Sequence, residues 1–375
     1  MKITRLELSQ YRNYEKISVQ LDYPICVFMG ENAQGKTNLL ESIYVAATGK
    51  SFRTSKDSDL IRWNESFTHI HLDYWKKDIR HRISLSLAPN EKRYKLDDKK
   101  LDKRSQLFGQ LAIVLFTPDD LNLVKGEPAT RRRFLDFEIS QTSPSYLYSL
   151  QRYYRVLKQR NTALRDAKYK KSSIELVRIW NSQLAQYGAE IIHARQNALF
   201  KLNQTLDGIF PEVSGKTSQL TLIYKTFLQD DLLLDLNSLK KKFLDKLIKM
   251  EHEELARGTT LMGPQRDDFE VLLNQRSIHD FGSQGEQRSA VLALKLSEIY
   301  FIQEEIGDFP VILLDDFTSE LDDSHVISII RSLPRNLQIL ITSVHTLPHP
   351  FSDADVRYYL IKEGQLAGKG EPLPG

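Results

Sequence analysis

Apolar residues alternate with polar ones at the start of the chain, and a continuous apolar run follows them. The alternating positions are Ile3, Leu6 and Leu8, then Ile17, Val19 and Leu21, and the continuous run covers residues 25–29. Alternation is typical of strands with one buried face, whereas a short unbroken run indicates a strand buried on both faces. We therefore expect three strands before residue 30, with Arg12, Asn13 and Tyr14 in the first turn.

Strand-like segments continue through the next part of the chain. Residues 67–88 alternate again, a charged hairpin is expected around 90–104, and residues 112–116 predict another buried strand. A further short strand is expected much later, at 220–224. The intervening region has a different pattern.

Turn-forming residues are scarce between 144 and 207, which predicts long helices there. We expect a break at 208–215, where Pro211 lies, and a further helix with an apolar face over 231–257. Gly258 is expected to end that helix. The chain then returns mainly to strands and loops.

These elements predict an α/β domain that is interrupted by a helical insertion. The expected division is an N-terminal part over 1–143, a helical arm over 144–257, and a C-terminal part over 258–375 that completes the first domain. A chain of 375 residues is long enough for such an arrangement.

Composition narrows the class of protein only slightly. The formal net charge is +3, and the one cysteine, Cys26, lies within a predicted buried strand, which suits a reducing compartment. The N-terminus lacks a signal-peptide core, and no apolar stretch approaches the ~20 residues of a membrane span. We therefore expect a cytoplasmic protein with no membrane partner.

A phosphate-binding pattern follows the third predicted strand directly. Its residues are Gly30, Glu31, Asn32, Ala33, Gln34, Gly35, Lys36 and Thr37, which match G-x-x-x-x-G-K-[ST]. Glycines let the backbone N–H groups converge on phosphate oxygens, and the helix that follows adds its positive end. Lys36 is expected to bridge the β- and γ-phosphates of ATP, and Thr37 to bind Mg²⁺. A chance glycine-rich turn is the alternative.

Two acidic residues end a later apolar segment. Residues 311–314 are all apolar and run into Asp315 and Asp316. Asp315 is expected near the Mg²⁺ held by Thr37, and Asp316 could orient or deprotonate the attacking water. Acids that merely cap the end of a strand are the alternative.

A second glycine turn precedes a predicted helix, shortly before the paired acids. Ser283 and the backbone of Gly285 could form another phosphate cradle at the start of that helix. One chain has one γ-phosphate to hold, so a second cradle is useful if it completes the site of another copy. The alternative is an ordinary capped helix.

Ser319, Glu320, Leu321 and Asp322 follow the paired acids and complete an ordered series of motifs. The series runs from phosphate loop to helical insertion, serine-glycine turn, paired acids and Ser-x-Leu-Asp. This order resembles that of the ABC-type ATPases, and among them the SMC-like branch, in which a helical arm is spliced into the nucleotide domain. The resemblance implies the fold of a P-loop ABC/SMC-like ATPase head.

Longer stretches resemble the RecF family of bacterial recombination mediators. The matching segments are residues 11–14, 30–41, 50–53, 126–136, 257–268 and 283–288. The resemblance runs from residue 3 to about 345. It departs at Gln265, where the family usually has His, and Ser343 stands where transport ATPases have a switch histidine, with His345 two residues later. We therefore assign no catalytic role to His345.

The resemblance implies a cycle driven by ATP and Mg²⁺. ATP binds the phosphate loop of one subunit, and Ser283 and Gly285 of a second subunit cover its γ-phosphate, so ATP holds a homodimer together. Lys36, Asp315 and Asp316 are the implied catalytic residues. Arg12 is implied to contact the nucleotide from the turn between the first two strands, although a solvated turn arginine is the alternative. Slow hydrolysis, stimulated by DNA, acts as a switch.

The resemblance also implies DNA as a partner, at junctions between double-stranded and single-stranded segments. RecR and RecO are the implied protein partners in loading RecA during repair and the SOS response. Residues 151–180 hold nine lysines and arginines against two acids, interleaved with tyrosines, which fits contacts to DNA phosphates. Arg155, Lys158 and Arg160 are the candidates, and a solvated helix face is the alternative.

Three other classes use similar motifs. The nucleotide domain of a transporter normally has a short, mostly uncharged helical subdomain, which the basic stretch disfavours. A nuclease coupled to an ATPase needs an acidic metal-binding cluster in a separate domain, and the pairs Asp97-Asp98 and Asp267-Asp268 are isolated. A nucleotide-locked scaffold with negligible turnover remains open, because binding and hydrolysis use overlapping residues.

Overall fold

A computed structural model describes residues 1–89, 91–228, 235–316, 333–334, 336–346 and 355–370. The chain divides into two compact units. The first consists of Met1–Asp120 with Ile302–Gly375, and the second of Leu121–Phe301. The second unit contains the whole insertion expected over 144–257 and also the chain on either side of it.

The strands of the described residues include those expected before residue 30 and over 67–88, 112–116 and 220–224. They are β1 (Lys2–Tyr11), β2 (Tyr14–Gln20), β3 (Ile25–Met29), β4 (Thr68–Lys76), β5 (Ile79–Ala88), β6 (Glu91–Leu96), β7 (Lys99–Leu101), β8 (Ile113–Phe116), β9 (Leu220–Lys225), β10 (Asp268–Leu273), β11 (Arg276–Ser277), β12 (Val311–Leu314), β13 (Gln338–Ser343), β14 (Val356–Lys362) and β15 (Gln365–Gly370).

In the part of the chain that the structure describes, the helices lie mostly in the second unit. They are α1 (Lys36–Thr48), α2 (Asn122–Lys125), α3 (Pro128–Thr142), α4 (Pro144–Lys168), α5 (Glu175–Arg178), α6 (Asn181–Ser214), α7 (Leu236–Lys249), α8 (Glu251–Arg257), α9 (Ile278–Phe281) and α10 (Gln284–Ile306). Among the described residues, none of these helices combines the length and apolarity needed to span a membrane.

One sheet of the first unit carries the phosphate loop. Its order within the described residues is β15-β14-β3-β13-β12-β8, and β3 pairs in parallel with both β13 and β14. Every residue of β3 and β12 is buried, as the unbroken apolar runs predict. Burial raises the pKa of the Cys26 thiol on β3 to about 12, so this cysteine is a packing residue at neutral pH.

The other sheet of the first unit is antiparallel, with the order β2-β1-β4-β5-β6-β7 among the described residues. Gln338, the first residue of β13, connects the two sheets. Its side-chain amide donates to the carbonyl oxygens of Ile3 and Leu21 at 2.8 Å and 2.6 Å, and its Oε1 accepts from the backbone N–H of Ile3 at 2.6 Å. These bonds satisfy a buried polar side chain and fix β1 against β13.

The second unit is built on helices α4, α6 and α7 with a small sheet in the order β11-β10-β9. Gly188 allows α6 and α7 to approach closely, since a Cβ there would lie 2.4 Å from the ring of Phe243. The fully buried side chain of Arg195, on α6, donates to Asp136 at 2.7 Å and to the carbonyl of Pro264 at 2.7 Å. This arginine therefore links α3, α6 and the segment before β10.

The expected helix boundaries were wrong at two places. Helix α6 continues through Pro211 and ends only at Gly215, whose φ is 65°. Leu206 and Phe210 remain buried on its apolar face, so packing outweighs the missing hydrogen bond of the proline. The helix expected over 231–257 is two helices, α7 and α8, joined at Met250, and residues 229–234 lie outside the described part of the chain. Gly258, with a φ of 73°, ends α8 as predicted.

Candidate functional site

The phosphate loop leaves β3 at Met29 and enters α1 at Lys36, the strand–loop–helix arrangement that the motif predicts. Its two motif glycines lie where side chains have no room. A Cβ at Gly30 would be 2.3 Å from the carbonyl oxygen of Ile361, and one at Gly35 would be 2.5 Å from Nδ2 of Asn13. Their φ angles, 150° and 112°, are also ones that other residues rarely adopt.

Lys36 lies at the base of this loop, with a side chain that is almost completely buried. Its Nζ donates to the carbonyl oxygens of Gly30 and Glu31, at 2.6 Å and 2.7 Å. Burial lowers the pKa of Lys36, and the carboxylates of Asp316 and Asp315 partly oppose that shift. The ammonium group is thus held inside the curl of the loop, where a phosphate could replace its carbonyl partners.

Thr37 and Asp315 are brought together although 278 residues separate them in sequence. Oγ1 of Thr37 donates to Oδ1 of Asp315 at 2.8 Å, and Oγ1 of Thr342 on β13 donates to the same oxygen at 2.9 Å. Burial raises the pKa of Asp315, against the lowering effect of these two hydrogen bonds. A hydroxyl and a carboxylate at this spacing are hard oxygen ligands that fit Mg²⁺.

Asp316 follows directly but is exposed, with a φ of 51°. Its backbone N–H donates to Oγ1 of Thr342 at 2.8 Å, so Thr342 anchors both acids at the end of β12. On the neighbouring strand Ser343 is buried, whereas His345 is exposed and its backbone N–H donates to Oγ of Ser343 at 3.2 Å. Thr342 has no motif that would have identified it from the sequence.

The β1–β2 turn holds the phosphate loop through hydrogen bonds that the sequence motifs do not predict. Nδ2 of Asn13 donates to the carbonyl of Gln34 at 2.9 Å, and the hydroxyl of Tyr14 donates to the carbonyl of Gly35 at 2.9 Å. Oδ1 of Asn13 accepts from Nδ2 of Asn38, in the first turn of α1, at 2.8 Å. The turn is therefore bonded to the loop and to the helix that follows it.

Arg12 lies in this turn and is paired with Glu41 of α1. Its Nε and Nη2 donate to the two carboxylate oxygens of Glu41 at 2.8 Å and 2.6 Å. Burial is the largest single effect on the pKa of Arg12 and lowers it. The hydrogen bonds and the charge of Glu41 together outweigh burial, so the pKa is raised. Arg12 is thus not a freely solvated turn arginine, and the next residue, Asn13, is bonded to the phosphate loop.

The second candidate cradle lies at the start of α10 in the other unit. Oγ of Ser283 donates to Oε2 of Glu286 at 2.8 Å, and Glu286 also accepts from the backbone N–H of Ser283 at 3.0 Å. The backbone N–H of Glu286 donates to Oγ of Ser283 at 3.3 Å. This reciprocal pair is a capping box. Glu286 is therefore a further member of the cradle, beyond the predicted Ser283 and Gly285. Ser283 and Gly285 are exposed.

The Ser-x-Leu-Asp motif, formed by Ser319, Glu320, Leu321 and Asp322, lies outside the described residues.

Arg160 is not available to DNA, which corrects one of the three candidates on α4. Its side chain is 0% exposed, and Nη2 donates to Oε2 of Glu254 at 2.6 Å. Nε and Nη1 donate to Asn181 and Thr260, each at 2.8 Å. All three nitrogens of the guanidinium therefore have partners inside the second unit.

Replacing Arg160 with Met should destabilise the protein by about 3–5 kcal/mol, because it leaves the buried carboxylate of Glu254 without its charge partner. Replacing both residues, as Arg160→Met/Glu254→Leu, should restore much of that loss. Urea denaturation followed by circular dichroism measures the effect, with the exposed Lys158→Met as the matched control. A single variant as stable as the control would contradict this assignment.

The other two candidates, Arg155 and Lys158, are exposed on α4. Lys158 and Arg165 line a surface groove together with Tyr154, which is 43% exposed, and the turn at Gly258. Arg165 thus belongs with the two exposed candidates, and its spacing of seven residues from Lys158 predicts that it lies on the same helix face. The tyrosine within the basic stretch that is most buried, Tyr153, instead donates its hydroxyl to Gln265.

Arg131 and Arg132, which lie in one of the segments that resemble the RecF family, have partners within the protein. Arg131 donates through Nε and Nη2 to both carboxylate oxygens of Asp268, at 2.8 Å and 2.7 Å. Arg132 donates to the carbonyl of Asp267 at 2.8 Å. The segments 126–136 and 257–268, which both resemble the RecF family, are therefore hydrogen-bonded to each other. These arginines have a structural role within the second unit.

A protein-family model described as the RecF/RecN/SMC N terminal domain matches residues 2–365. A protein of Bacillus cereus (strain B4264), named DNA replication and repair protein RecF, is 39% identical over 92% of this chain and 92% of its own length. Its namesake from Bacillus mycoides (strain KBAB4) is 38% identical over 93% of this chain and 94% of its own.

Solved structures agree with these sequence matches. A structure of the recombination mediator protein RecF-ATP in the RecFOR pathway is 32% identical, has a TM-score of 0.90, and is covered over 96% of its chain and 97% of this one. The Smc head domain of Pyrococcus furiosus, solved with the C-terminal domain of ScpA, has a TM-score of 0.52 at 17% identity, with coverage of 97% of this chain and 94% of that one. Together with the family model, they confirm the predicted α/β fold of an ABC/SMC-like ATPase head.

Proposed function

The chain belongs to the RecF family, and on that premise we propose that it is an ATP-dependent DNA-binding protein of replication and recombinational repair. The observation that carries the proposal is the contact of Thr37 with Asp315 at the phosphate loop. A loop that could hold phosphates, and the two oxygen ligands expected for their Mg²⁺, lie together in one compact unit. The RecF structure solved with ATP supports the choice of nucleotide.

In this proposal the phosphate loop binds the phosphates of ATP through its backbone N–H groups. Lys36 leaves its carbonyl partners and bridges the β- and γ-phosphates, and Arg12 contributes a second positive charge from the β1–β2 turn. Thr37 and Asp315 would hold Mg²⁺, which when bound would supply positive charge to neutralise the phosphates. Asp316, exposed at the end of β12, orients the attacking water.

The exposed cradle at the start of α10 suggests the second half of the cycle. Ser283 and Gly285 of one copy would cover the γ-phosphate bound to another copy. The interface would be symmetric, so the second copy would cover the γ-phosphate of the first in the same way. ATP would then hold a homodimer together, and slow, DNA-stimulated hydrolysis would release it, because loss of the γ-phosphate removes the shared contacts. The arm over 144–257 would be the DNA-binding insertion of each copy.

DNA at junctions between double-stranded and single-stranded segments is the proposed partner, together with RecR and RecO. The RecFOR pathway named for the solved RecF supports the link to RecR and RecO. Acting with them, the protein would help to load RecA and so support the SOS response. The contacts to DNA would come from Arg155, Lys158 and Arg165, whose side chains are exposed.

Replacing Arg155, Lys158 and Arg165 together with Ala should weaken binding to duplex DNA and flatten its dependence on salt. Loss of three phosphate contacts should reduce the slope of log K against log salt by roughly 2–3. Fluorescence anisotropy at several salt concentrations, with ATP present, measures both effects.

A matched control removes the same charge from another helix of the same unit. Lys241, Lys246 and Lys249 are exposed on α7, and their replacement with Ala should leave the slope nearly unchanged. Equal losses in the two triple variants would mean that only net charge matters, and an unchanged slope in the α4 variant would place the DNA contacts elsewhere.

A further inference from the structure

Glu41 is a buried charge beside the phosphate loop to which the proposed ATP cycle gives no role. It lies on α1, about one helical turn after Thr37, and its side chain is 0% exposed. An ionised carboxylate is costly to bury unless it is paired and hydrogen-bonded. Glu41 satisfies that condition through Arg12 and through the hydroxyl of Ser51, which donates to Oε1 at 2.5 Å.

The pair with Arg12 has the geometry of a fixed contact. Both carboxylate oxygens of Glu41 are used, by Nε and Nη2 of the guanidinium, which prevents rotation about a single hydrogen bond. Nη1, the remaining nitrogen, is not part of this pair. The Arg12 side chain is 19% exposed, so it is accessible at the edge of the site.

The backbone of Arg12 is fixed as well. Its φ of 53° is uncommon for a residue with a side chain, and its N–H donates to the carbonyl of Leu60 at 2.9 Å. The next residue, Asn13, is bonded to Gln34 of the phosphate loop. The turn therefore fixes the backbone of Arg12, and Glu41 fixes the position of its guanidinium.

Arg53 provides an internal comparison. Its Nη1 lies 3.8 Å from Oε2 of Glu41 and donates to Oδ1 of Asn38 at 2.8 Å, and its side chain is 45% exposed. Removal of Glu41 would therefore release Arg12 from its only ion-pair partner among the described residues, whereas Arg53 would keep its hydrogen bond to Asn38. Two guanidinium groups would also lose the negative charge between them.

We propose that Glu41 is a positioning residue for ATP recognition, which acts through Arg12 without touching the nucleotide. It holds the guanidinium beside the phosphate loop before ATP arrives, with Nη1 left for a phosphate oxygen. Holding a flexible side chain in advance raises affinity because less conformational freedom is lost on binding. The proposal rests on the ATP site proposed above, and extends it to a residue outside the motif.

A double-mutant cycle on ATP affinity tests this directly. Arg12→Ala should raise the Kd for ATP about tenfold, as expected for a charged contact to phosphate. Glu41→Gln, which keeps the shape but removes the charge, should raise it about three- to tenfold, and Arg12→Ala/Glu41→Gln should be no weaker than Arg12→Ala alone. Isothermal titration calorimetry measures each Kd, and Glu41→Asp should recover part of the affinity.

Asp73 offers a matched structural control in the same unit. It is 2% exposed and accepts two hydrogen bonds from Arg82 and one from Arg80, so Asp73→Asn breaks a pairing of a buried carboxylate with arginine between β4 and β5. This variant should lose stability but keep the wild-type Kd for ATP. The double variant of Arg12 and Glu41 removes both charges together and so avoids an unpaired buried carboxylate.

The outcomes separate the two proposals. If the effects of Arg12→Ala and Glu41→Gln simply multiply, or if Glu41→Gln binds ATP like the wild type, Glu41 has no positioning role. If Asp73→Asn weakens ATP binding as much as Glu41→Gln does, the effect reflects stability alone. If the wild type itself fails to bind ATP, the proposed ATP site is wrong and the cycle has no basis.

Discussion

Lys36→Met should reduce ATP turnover by at least about a hundredfold, the usual effect of removing one charge that stabilises a transferring phosphoryl group. Lys36 is the cation that lies inside the phosphate loop, with its ammonium 2.6 Å from the carbonyl of Gly30. Methionine has a similar length but cannot neutralise phosphate charge. Phosphate release in the presence of duplex DNA, at saturating ATP, measures the effect.

The control for this variant is Lys16→Met, which removes an equal charge from an exposed position on β2. It should retain wild-type turnover. Because Lys36 donates to loop carbonyls in this structure, its replacement could also disturb the loop, so the melting temperature of both variants should be compared. A folded Lys36→Met protein with normal turnover would show that the chemistry occurs elsewhere.

Ser283→Arg should abolish the ATP-dependent dimer and leave ATP binding by the separate chain within about twofold of the wild type. Ser283 is exposed at the start of α10, so a large charged side chain there can be accommodated in a single chain but not against a partner's nucleotide. Light scattering with duplex DNA and ATP, ADP or no nucleotide gives the mass in each state. The wild type should be dimeric with ATP and monomeric with ADP or without nucleotide.

Gly285 allows a sharper form of the same test. A Cβ at this position meets no atom within 4 Å among the described residues, so Gly285→Val should fold normally and still obstruct a partner that approaches closely. Ser173→Arg, which adds an arginine at an exposed serine before α5, is the control and should dimerise like the wild type. If the mass of the wild type does not change with nucleotide, or if the dimer persists in both cradle variants, then Ser283 and Gly285 only cap α10 and do not bind a partner's nucleotide.

The parts of the site that the sequence could predict are those whose chemistry requires a continuous motif. The phosphate loop needs its glycines and Lys36 at fixed spacing, and an apolar strand has to deliver Asp315 to the same sheet edge. Hydrogen-bond partners such as Asn13 and Thr342 could not be assigned in this way, because each reaches the loop or Asp315 from a distant segment. The phosphate-loop motif, with its fixed spacing, includes neither residue.

Arg160 is different, because a signal for its burial was present. The buried residues of α4 around it are Tyr153, Val156, Leu157 and Leu164. Position 160 falls on the same face at helical spacing, so periodicity should have taken precedence over the count of positive charges. Pro211 shows the opposite case, since a local rule predicted a break that packing of the helix overrode.

The position of β3 in its sheet has a consequence for synthesis of the chain. Its two neighbours are β13 and β14, which come from residues 338–362, whereas β3 itself ends at Met29. On the ribosome, therefore, the strand that leads into the phosphate loop has both edges without their final partners for on the order of tens of seconds at ordinary elongation rates. A nascent chain should be unable to capture nucleotide until its last strands emerge, and this interval is when a chaperone would be most useful to an apolar strand with open edges.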